Sequence, residues 1–333
     1  MASQKLQKER IQLGLSQTRD PGPSAEASPR TVSIIVRTCN REEKLRHTLE
    51  AIRSFEVPEG CAYEVIVADN GSHERTVQVC AEAAAEFAGN LRHVYVLARG
   101  GANAGNAGLE EARGNIIAIL DDDILPRRDW LTTVWREFST DPELDGLSGR
   151  VELANEADLP VGIRRQNQRM KFESLSDAYS LFAGCNVAVR RSLIDRVGFF
   201  DPDFGPSSQF FSAEDCDFFY RAWKAGAKMI YEPALFVTHD HGRRSRKAML
   251  ETKRGYLVGR GAFYAKHIWA GDRTAARHLY WELRTAGAEL FRGRDGLGWR
   301  YLTWLLGGFG AYSLRLVVGA AKSKKAGSGG RNP

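Results

Sequence analysis

An alternation of buried strands and helices between residues 31 and 125 constrains the fold of this chain more than any other feature. Short runs rich in Val and Ile, typical of buried strands, lie at residues 32–36, 63–68, 91–97 and 116–120. Segments with helical periodicity or a high alanine content separate them. Because strands joined by crossover helices pair in parallel, the pattern predicts an α/β fold with a parallel sheet flanked by helices.

Polar or acidic residues directly follow three of these strands. They are Thr38-Cys39-Asn40, Asp69-Asn70-Gly71-Ser72 and Asp121-Asp122-Asp123. Ligands of parallel sheets bind at the carboxyl ends of the strands, so we expect the three clusters to meet at one edge. Asn40 also predicts a helix N-cap, with Glu43 in the capping-box position.

The aspartate triplet predicts a metal site. Three adjacent carboxylates repel one another, and a bound divalent cation relieves that repulsion. Mg²⁺ and Mn²⁺ prefer carboxylate and phosphate oxygens. Side chains alternate in an extended segment, which allows Asp121 and Asp123 to face the same side. The alternative is a solvated helix cap before Leu125-Pro126.

The composition indicates which kinds of partner the protein binds and in which cellular compartment it lies. The 333-residue chain has a net charge of +6, which favours acidic partners such as nucleotides or anionic lipids. No nucleic-acid-binding module is recognisable, so no nucleic-acid partner is expected. The five cysteines form no C-x-x-C pair, which argues against zinc and redox sites and favours a reducing cytosol. Residues 1–30 lack the apolar core of a signal peptide and predict a flexible tail.

The second half of the chain is less regular than the first. The predicted elements are a loop at 153–176, a strand at 182–189, helices at 191–197 and 214–225, and short strands at 228–231 and 234–238. The last of these strands ends near His239 and His241, and from Met249 onward the sequence predicts helices. We therefore expect the C-terminal third to add a helical extension to the sheet.

Residues 299–321 form an apolar, glycine-rich segment with a basic flank that contains Lys322, Lys324 and Lys325. Arg315 interrupts the segment, and a membrane-spanning helix tolerates such a charge poorly. Two interpretations remain open. One is an amphipathic helix that lies on an anionic membrane surface, and the other is a helix that covers the core.

The ordered series of motifs resembles the family 2 glycosyltransferases. The matching stretches are Val32 to Arg41, Val65 to Ser72, Asn106 to Leu109, Ile119 to Asp123, Gly184 to Asn186, Phe199 to Asp201 and Glu214 to Phe218. The resemblance covers about Thr31 to His241, and residues 256–264 are similar to rhamnosyltransferase-like members. It implies the GT-A fold of nucleotide-diphospho-sugar transferases, with a Rossmann-like, mostly parallel sheet flanked by helices.

The resemblance also implies roles for individual residues. The residues expected to bind the nucleotide sugar are Thr38, Asn40, Arg41, Asp69, Asn106, Asp121 and Asp122. The residues expected to bind Mn²⁺ or Mg²⁺ are Asp121, Asp123 and His239. Asp69 is expected to contact the base, although it could instead be a turn residue before Asn70-Gly71. His241 remains an alternative to His239 as a metal ligand.

The same resemblance implies that Asp215 is the catalytic base. This carboxylate would accept the proton of the acceptor hydroxyl while the oxygen attacks the anomeric carbon, and a single displacement inverts the anomeric configuration. Glu214 could take that role or bind the acceptor. Acidic residues in the first turn of a helix also complement its dipole, which is a structural alternative for both.

The expected protein is a metal-dependent, inverting, hexosyltransferase-type enzyme. It would transfer a sugar from a nucleotide-diphosphate donor to a hydroxyl of a glycan or lipid-linked glycan, in cell-surface polysaccharide or glycolipid biosynthesis. The domain organisation follows as a catalytic domain at 31–245 with halves at 31–125 and 126–245, a helical extension at 246–325, and flexible tails at 1–30 and 326–333. A cytoplasmic location, peripheral at the inner face of the membrane, is expected.

The alternative activity is that of a sugar-phosphate nucleotidyltransferase, which shares a nucleotide-binding sandwich and a carboxylate-held metal. Such an enzyme needs a glycine-rich loop bearing Arg or Lys directly after the first strand. Residues 37–41 occupy that position and contain no glycine. The sequence therefore favours the glycosyltransferase.

Overall fold

The computed structural model describes residues 31–291 and 297–328, and the chain in these ranges forms one mixed sheet with helices on both faces. The strands are β1 (Thr31–Thr38), β2 (Ala62–Asp69), β3 (Leu91–Tyr95), β4 (Ile116–Asp121), β5 (Ile124–Pro126), β6 (Gly146–Leu153), β7 (Met170–Lys171), β8 (Asn186–Arg190) and β9 (Met229–His239). The strand order is β3-β2-β1-β4-β8-β6-β9-β5, with β7 paired to β9.

The helices alternate with strands in the first half and dominate the C-terminal part. They are α1 (Glu42–Arg53), α2 (Thr76–Glu86), α3 (Gly101–Glu111), α4 (Trp130–Thr140), α5 (Leu175–Ser180), α6 (Arg191–Val197), α7 (Glu214–Lys224), α8 (Arg246–Trp269), α9 (Arg273–Phe291) and α10 (Leu297–Ser328). The predicted C-terminal helices are thus present. The tail predicted at 1–30 lies outside the described residues. Of the tail predicted at 326–333, residues 326–328 continue helix α10, and residues 329–333 lie outside the described residues.

Successive side chains of β1 enter two different hydrophobic cores. Ile35 packs in the core on one face of the sheet, and Ile34 and Val36 pack in the core on the other. All three are fully buried. A strand covered on both faces is apolar throughout rather than alternating, and the continuous Val and Ile runs of the sequence indicate this arrangement.

The parallel part of the sheet brings the polar strand ends together. β1 pairs in parallel with β2 and β4, so Thr38 lies opposite Asp69 and Arg37 lies opposite Asp121. The expectation that the three polar clusters share one edge is therefore confirmed.

The rest of the sheet differs from the mostly parallel arrangement that we expected. β8 is antiparallel to both β4 and β6, and β5 and β7 are antiparallel to β9. Two predicted short strands are in fact one, because β9 runs from Met229 to His239. A register shift between Gly149 and Arg150 lets β6 follow it in parallel. Pairings of this kind join distant segments, and local periodicity does not indicate them.

Helices α8 and α10 approach each other closely at glycines. A Cβ on Gly261 would overlap the carbonyl oxygen of Leu305, and one on Gly308 would overlap that of Val258. Farther along α10, Tyr312 stacks against Phe204 with ring centroids 6.0 Å apart. One side of α10 therefore packs on the protein, as the core-covering interpretation expects.

Candidate active site

Arg37, at the end of β1, connects two of the predicted site carboxylates. Its Nε and Nη2 donate to Asp121 Oδ1 at 2.9 and 2.6 Å, and its Nη1 donates to Glu214 Oε1 at 3.3 Å. The guanidinium thus joins the nucleotide-binding half of the sheet to the first turn of α7. The motifs did not identify Arg37 as a site residue, although it directly precedes Thr38, which was predicted to bind the nucleotide sugar.

The other two aspartates of the triplet face Arg41. Arg41 Nη1 donates to Asp122 Oδ1 at 3.1 Å and to Asp123 Oδ2 at 2.7 Å. Thr38 Oγ1 donates to Asp122 Oδ2 at 2.7 Å. Burial raises the pKa of Asp122 to about 6, even though Arg41 opposes the shift. The triplet therefore divides, with Asp121 directed to Arg37 and its two neighbours to Arg41.

His239 lies beside Asp123, as predicted for a shared metal site. Ile124 pairs with His239 across β5 and β9, and the Nε2 atom of His239 is 3.2 Å from Asp123 Oδ1. Burial raises the pKa of Asp123, but His239 and Arg41 outweigh it and hold that pKa well below its usual range. His241 instead faces Asp158, 3.5 Å away. The geometry thus joins His239 rather than His241 to the triplet.

These side chains fit a small divalent cation in chemistry. Carboxylate oxygens and an imidazole nitrogen are suitable ligands for Mn²⁺, and the Nδ1 atom of His239 is buried without a partner. Asp121 lies two residues from Asp123 but is turned toward Arg37. In the described part of the chain, no group of three or more His, Cys, Asp or Glu side chains is already arranged around a metal position. The ligand assignment stays a prediction.

Asp215 is held at the start of α7 by two backbone amides. Its Oδ2 accepts from the Gly184 amide at 2.9 Å, and its Oδ1 accepts from the Cys216 amide at 2.7 Å. A Cβ on Gly184 would lie only 2.9 Å from the Cβ of Asp215, so a larger residue there would displace the carboxylate. Both oxygens of the Asp215 carboxylate are thus held in a defined orientation.

Glu214 has a different environment from its neighbour. It is buried, and Gly205, which has a φ of +97°, leaves room for its carboxyl group. Burial and the adjacent Asp215 raise the pKa of Glu214 to about 7, against the effect of Arg37. A group with this pKa can hold or accept a proton near neutral pH, so Glu214 remains a second candidate for the base.

One cavity of about 470 Å³ connects these groups. Its wall includes Arg37, Asp121, Glu214, Asp215 and His239. Residues from β1, β4, α7 and β9 therefore contribute to one space. The cavity is large enough for part of a sugar nucleotide and an acceptor hydroxyl.

Asp121 is the one predicted nucleotide-binding residue that lines this cavity. Thr38 and Arg41 contact the Asp122 carboxylate outside it, and the other three predicted residues form structural contacts. Asp69 is fully buried, and its oxygens accept from the Ser72 amide at 2.9 Å and contact His93 Nε2 at 3.1 Å. The Asn106 side chain donates to and accepts from the backbone of Phe200, at 2.9 Å in both cases. A base contact by Asp69 stays a prediction that requires this turn to rearrange.

Asn40 is the third of these residues, and its predicted role as a helix cap is wrong. Helix α1 begins at Glu42 after Arg41, without a side-chain cap. Asn40 has a φ of +53° and accepts from the His73 amide at 2.9 Å. Asparagine tolerates the left-handed conformation, and here it ties the end of β1 to the turn after β2.

Glu214→Gln is expected to stabilise the fold at high pH and to have no such effect at low pH. Below pH 4.5, the ordinary value of the group, the carboxyl holds its proton in both the folded and the unfolded chain. Between pH 4.5 and about 7 the unfolded chain releases this proton while the folded wild type keeps it, so the wild type loses stability over that range and loses no more above it. The difference should reach on the order of 2–3 kcal/mol. Thermal unfolding at pH 4.5, 6.5 and 8.5 measures it.

Glu143→Gln provides the matched control, because the side chain of Glu143 is 85% exposed. Its effect on the melting temperature should be small at every pH. A Glu214→Gln effect that does not change with pH would contradict the raised pKa.

Two family models match the sequence, and together they extend from residue 33 to residue 320. Glycosyl transferase family 2 matches residues 33–198, and Glycosyl transferase family group 2 matches residues 116–320. The match therefore continues into the C-terminal helices, beyond the stretch from Thr31 to His241 in which we recognised motifs.

Curated proteins similar to this chain are glycosyltransferases, as the two family models are. The pre-mycofactocin glycosyltransferase of Mycobacterium tuberculosis is 28% identical over 263 residues, which are 73% of this chain and 48% of that protein. Glycosyltransferase AglE of Haloferax volcanii is 29% identical over 258 residues, which are 75% of this chain and 77% of that protein. This chain thus spans about half the length of the mycobacterial relative.

Similar solved structures have the GT-A fold. The mannosyltransferase PcManGT from Pyrobaculum calidifontis, in complex with GDP-Man and Mn²⁺, has a TM-score of 0.56 at 22% identity and covers 94% of this chain and 93% of its own. Residues 1–349 of S. aureus TarS have a TM-score of 0.53 at 19% identity, with coverage of 69% and 65%. These likenesses show the fold, and with the family matches they lead to one conclusion. The chain belongs to the family 2 glycosyltransferases.

Proposed function

We propose that this enzyme is a metal-dependent, inverting glycosyltransferase that uses a nucleotide-diphosphate sugar. The observation that carries the proposal is the single cavity between Asp121 and His239 at the strand ends and Asp215 at the start of α7. Two solved neighbours support the donor class, because TarS was solved with UDP-GlcNAc and PcManGT with GDP-Man and Mn²⁺. The nucleotidyltransferase alternative is not favoured, since the matched family models are those of glycosyltransferases.

The proposed reaction is a single displacement. Asp215 accepts the proton of the acceptor hydroxyl while that oxygen forms a bond to the anomeric carbon. The bond between the anomeric carbon and the diphosphate oxygen breaks on the opposite face, so the configuration inverts. Asp123 and His239, with Asp121, would hold the cation. A bound Mn²⁺ or Mg²⁺ would neutralise charge on the departing diphosphate.

A donor screen tests this function. UDP-, GDP- and dTDP-sugars are incubated with the protein, with and without Mn²⁺, and thermal unfolding is followed. One donor should raise the melting temperature only with the metal, because a ligand at 100 times its Kd stabilises by about 2.7 kcal/mol. That donor should then release nucleoside diphosphate when an acceptor is present. Formation of pyrophosphate from a nucleoside triphosphate and a sugar phosphate would instead support the nucleotidyltransferase.

We also propose that the acceptor is a glycan or lipid-linked glycan met at the cytoplasmic surface of a membrane. Gly298–Gly319 is long and apolar enough to cross a membrane, and only 17% of the residues in its most apolar 18-residue stretch are buried. Its outward side chains at helical spacing are Trp299, Leu306, Leu314 and Val317, between 48% and 68% exposed. A helix that lies on the membrane surface fits these observations better than a helix that crosses the membrane, because α10 packs on α8 along its other side.

The charges near α10 favour an anionic lipid surface. Arg315, which interrupts the apolar segment, is paired with Asp203 at 2.6 Å and is not part of the outward stripe. Three cations, Arg246, Lys247 and Arg254, and one carboxylate, Glu251, line a depression beside Trp304, so its net charge is positive. Lys or Arg residues next to an apolar helix face are attracted to anionic headgroups.

The double variant Leu306→Gln/Leu314→Gln is expected to bind anionic vesicles at least tenfold more weakly than wild type. Each leucine should lose on the order of 1.5 kcal/mol of apolar burial. Co-sedimentation with phosphatidylserine-containing vesicles measures the change, and high salt should weaken binding by the wild type. Val77→Gln is the control, since Val77 is 55% exposed on α2. Equal sedimentation of both folded variants would exclude α10 as the contact.

A further inference from the structure

Three Arg and Lys side chains besides Arg37 line the active-site cavity. They are Arg164, Lys253 and Arg260. Arg260 pairs with Glu282 at 3.0 Å. Among residues 31–291 and 297–328, neither Arg164 nor Lys253 forms an ion pair. Arg37 differs from these two, because Asp121 and Glu214 neutralise its charge.

Two residues that line this cavity each have a buried polar atom without a hydrogen-bond partner. The atoms are Nε of Arg164 and the hydroxyl oxygen of Tyr179. Buried donors are almost always satisfied in folded proteins, so an unsatisfied pair beside a cavity indicates an absent acceptor. A ligand with oxygen acceptors and negative charge would satisfy both.

Contacts within the protein hold three of these side chains in place, those of Arg164, Tyr179 and Arg260. The other two nitrogens of Arg164 donate to the carbonyl oxygens of Ile163 at 3.1 Å and Tyr179 at 2.7 Å. The guanidinium of Arg260 stacks over the Tyr179 ring, with its central carbon 4.0 Å from the centroid. Such a site loses little conformational freedom when it binds an anion, which favours affinity.

We infer that Arg164, Tyr179, Lys253 and Arg260 form an anion subsite for a phosphate group carried by the acceptor. The inference rests on the proposed transferase function. Arg164 lies in the loop after β6, and Lys253 and Arg260 lie on α8, so the subsite is built outside the nucleotide-binding half of the sheet. Asp215 lines the same cavity, which allows an acceptor bound through its phosphate to present a hydroxyl to the base. Guanidinium groups bind phosphate oxygens strongly and with defined geometry.

Calorimetry with inorganic phosphate and methyl phosphate as probes tests the subsite directly. The exposed Lys253 is the preferred position to change, because Lys253→Met removes the charge without disturbing the core. Lys247→Met is the matched control, since it removes the same charge from the same helix outside the cavity. We expect Lys253→Met to weaken phosphate binding about tenfold, and Lys247→Met to change it less than twofold. A second variant, Arg164→Gln, should also weaken it if its melting temperature shows that it folds.

A second arm identifies the molecule that carries the phosphate. Methyl phosphate is titrated into protein saturated with UDP or GDP and Mg²⁺, and nucleotide affinity is measured for Lys253→Met. Retained phosphate binding and unchanged nucleotide affinity support an acceptor subsite. Competition between the two ligands, with a matching tenfold loss of nucleotide affinity, would assign these cations to the donor diphosphate and overturn the inference.

The phosphate measurement needs no turnover, so it separates the two proposals. Phosphate binding that the variants do not change, or no binding by the wild type, would overturn the inference even if the donor screen succeeds. If the protein binds phosphate but no nucleotide, the anion subsite is supported and the proposed nucleotide-sugar donor is contradicted.

Discussion

Asp215→Asn is expected to lower the turnover number by roughly 10²–10⁴-fold while donor binding survives. The substitution keeps the shape of the side chain and removes its basicity. The amide keeps one oxygen that can accept from Gly184 or Cys216, and it loses the other acceptor. We therefore expect a stability loss of about 1 kcal/mol, which thermal unfolding would report. Turnover and nucleotide affinity are measured with one identified donor and acceptor.

Glu214→Gln is the matched comparison, because it removes the neighbouring carboxylate from the same helix turn. If Glu214 only pairs with Arg37 and positions the acceptor, its loss should cost less turnover than the loss of Asp215. An inactive Glu214→Gln beside an active Asp215→Asn would exchange the two roles. This outcome is chemically reasonable, because burial raises the pKa of Glu214 to about 7. Two active variants would place the base elsewhere.

Asp123→Ala is expected to weaken Mn²⁺-dependent binding of the nucleoside diphosphate at least about 100-fold. Asp123 contacts both His239, at 3.2 Å, and Arg41, at 2.7 Å, so its removal takes away an expected metal ligand. Arg41 would keep Asp122 as a partner, which limits the damage to the fold. Calorimetry with UDP and GDP, with and without Mn²⁺, measures the loss.

Asp240→Ala controls for a general electrostatic effect near this position. The Asp240 amide donates to the Asp123 carbonyl at 2.8 Å, but its half-buried carboxylate pairs with Lys44. The control should keep its Mn²⁺-dependent affinity within about threefold, since this carboxylate is directed to Lys44 and its amide bond to Asp123 remains. Unchanged affinity in Asp123→Ala would refute the ligand assignment, whatever the control shows.

The main features of the nucleotide-binding half could be predicted from the sequence because they depend on local pattern. Strands β1 to β4 are short apolar runs separated by helices, and parallel pairing follows from that alternation. The meeting of Thr38, Asp69 and Asp121 at one edge follows from the same topology. Three of the motifs that identified the family lie at the carboxyl ends of these strands, namely those ending at Arg41, Ser72 and Asp123.

Only the tertiary structure decided which charges meet. Arg37 contacts Asp121, 84 residues away, and Glu214, 177 residues away, and no spacing rule predicts either pair. Asp121 and Asp123 were expected to face the same side, but their carboxylates contact different guanidinium groups, those of Arg37 and Arg41. Asp69, whose contact with the base stays a prediction, is fully buried at the end of β2. Charge pairing and burial depend on long-range packing, so the sequence by itself determined the edge where the site lies, and the folded chain decided which side chains face the cavity.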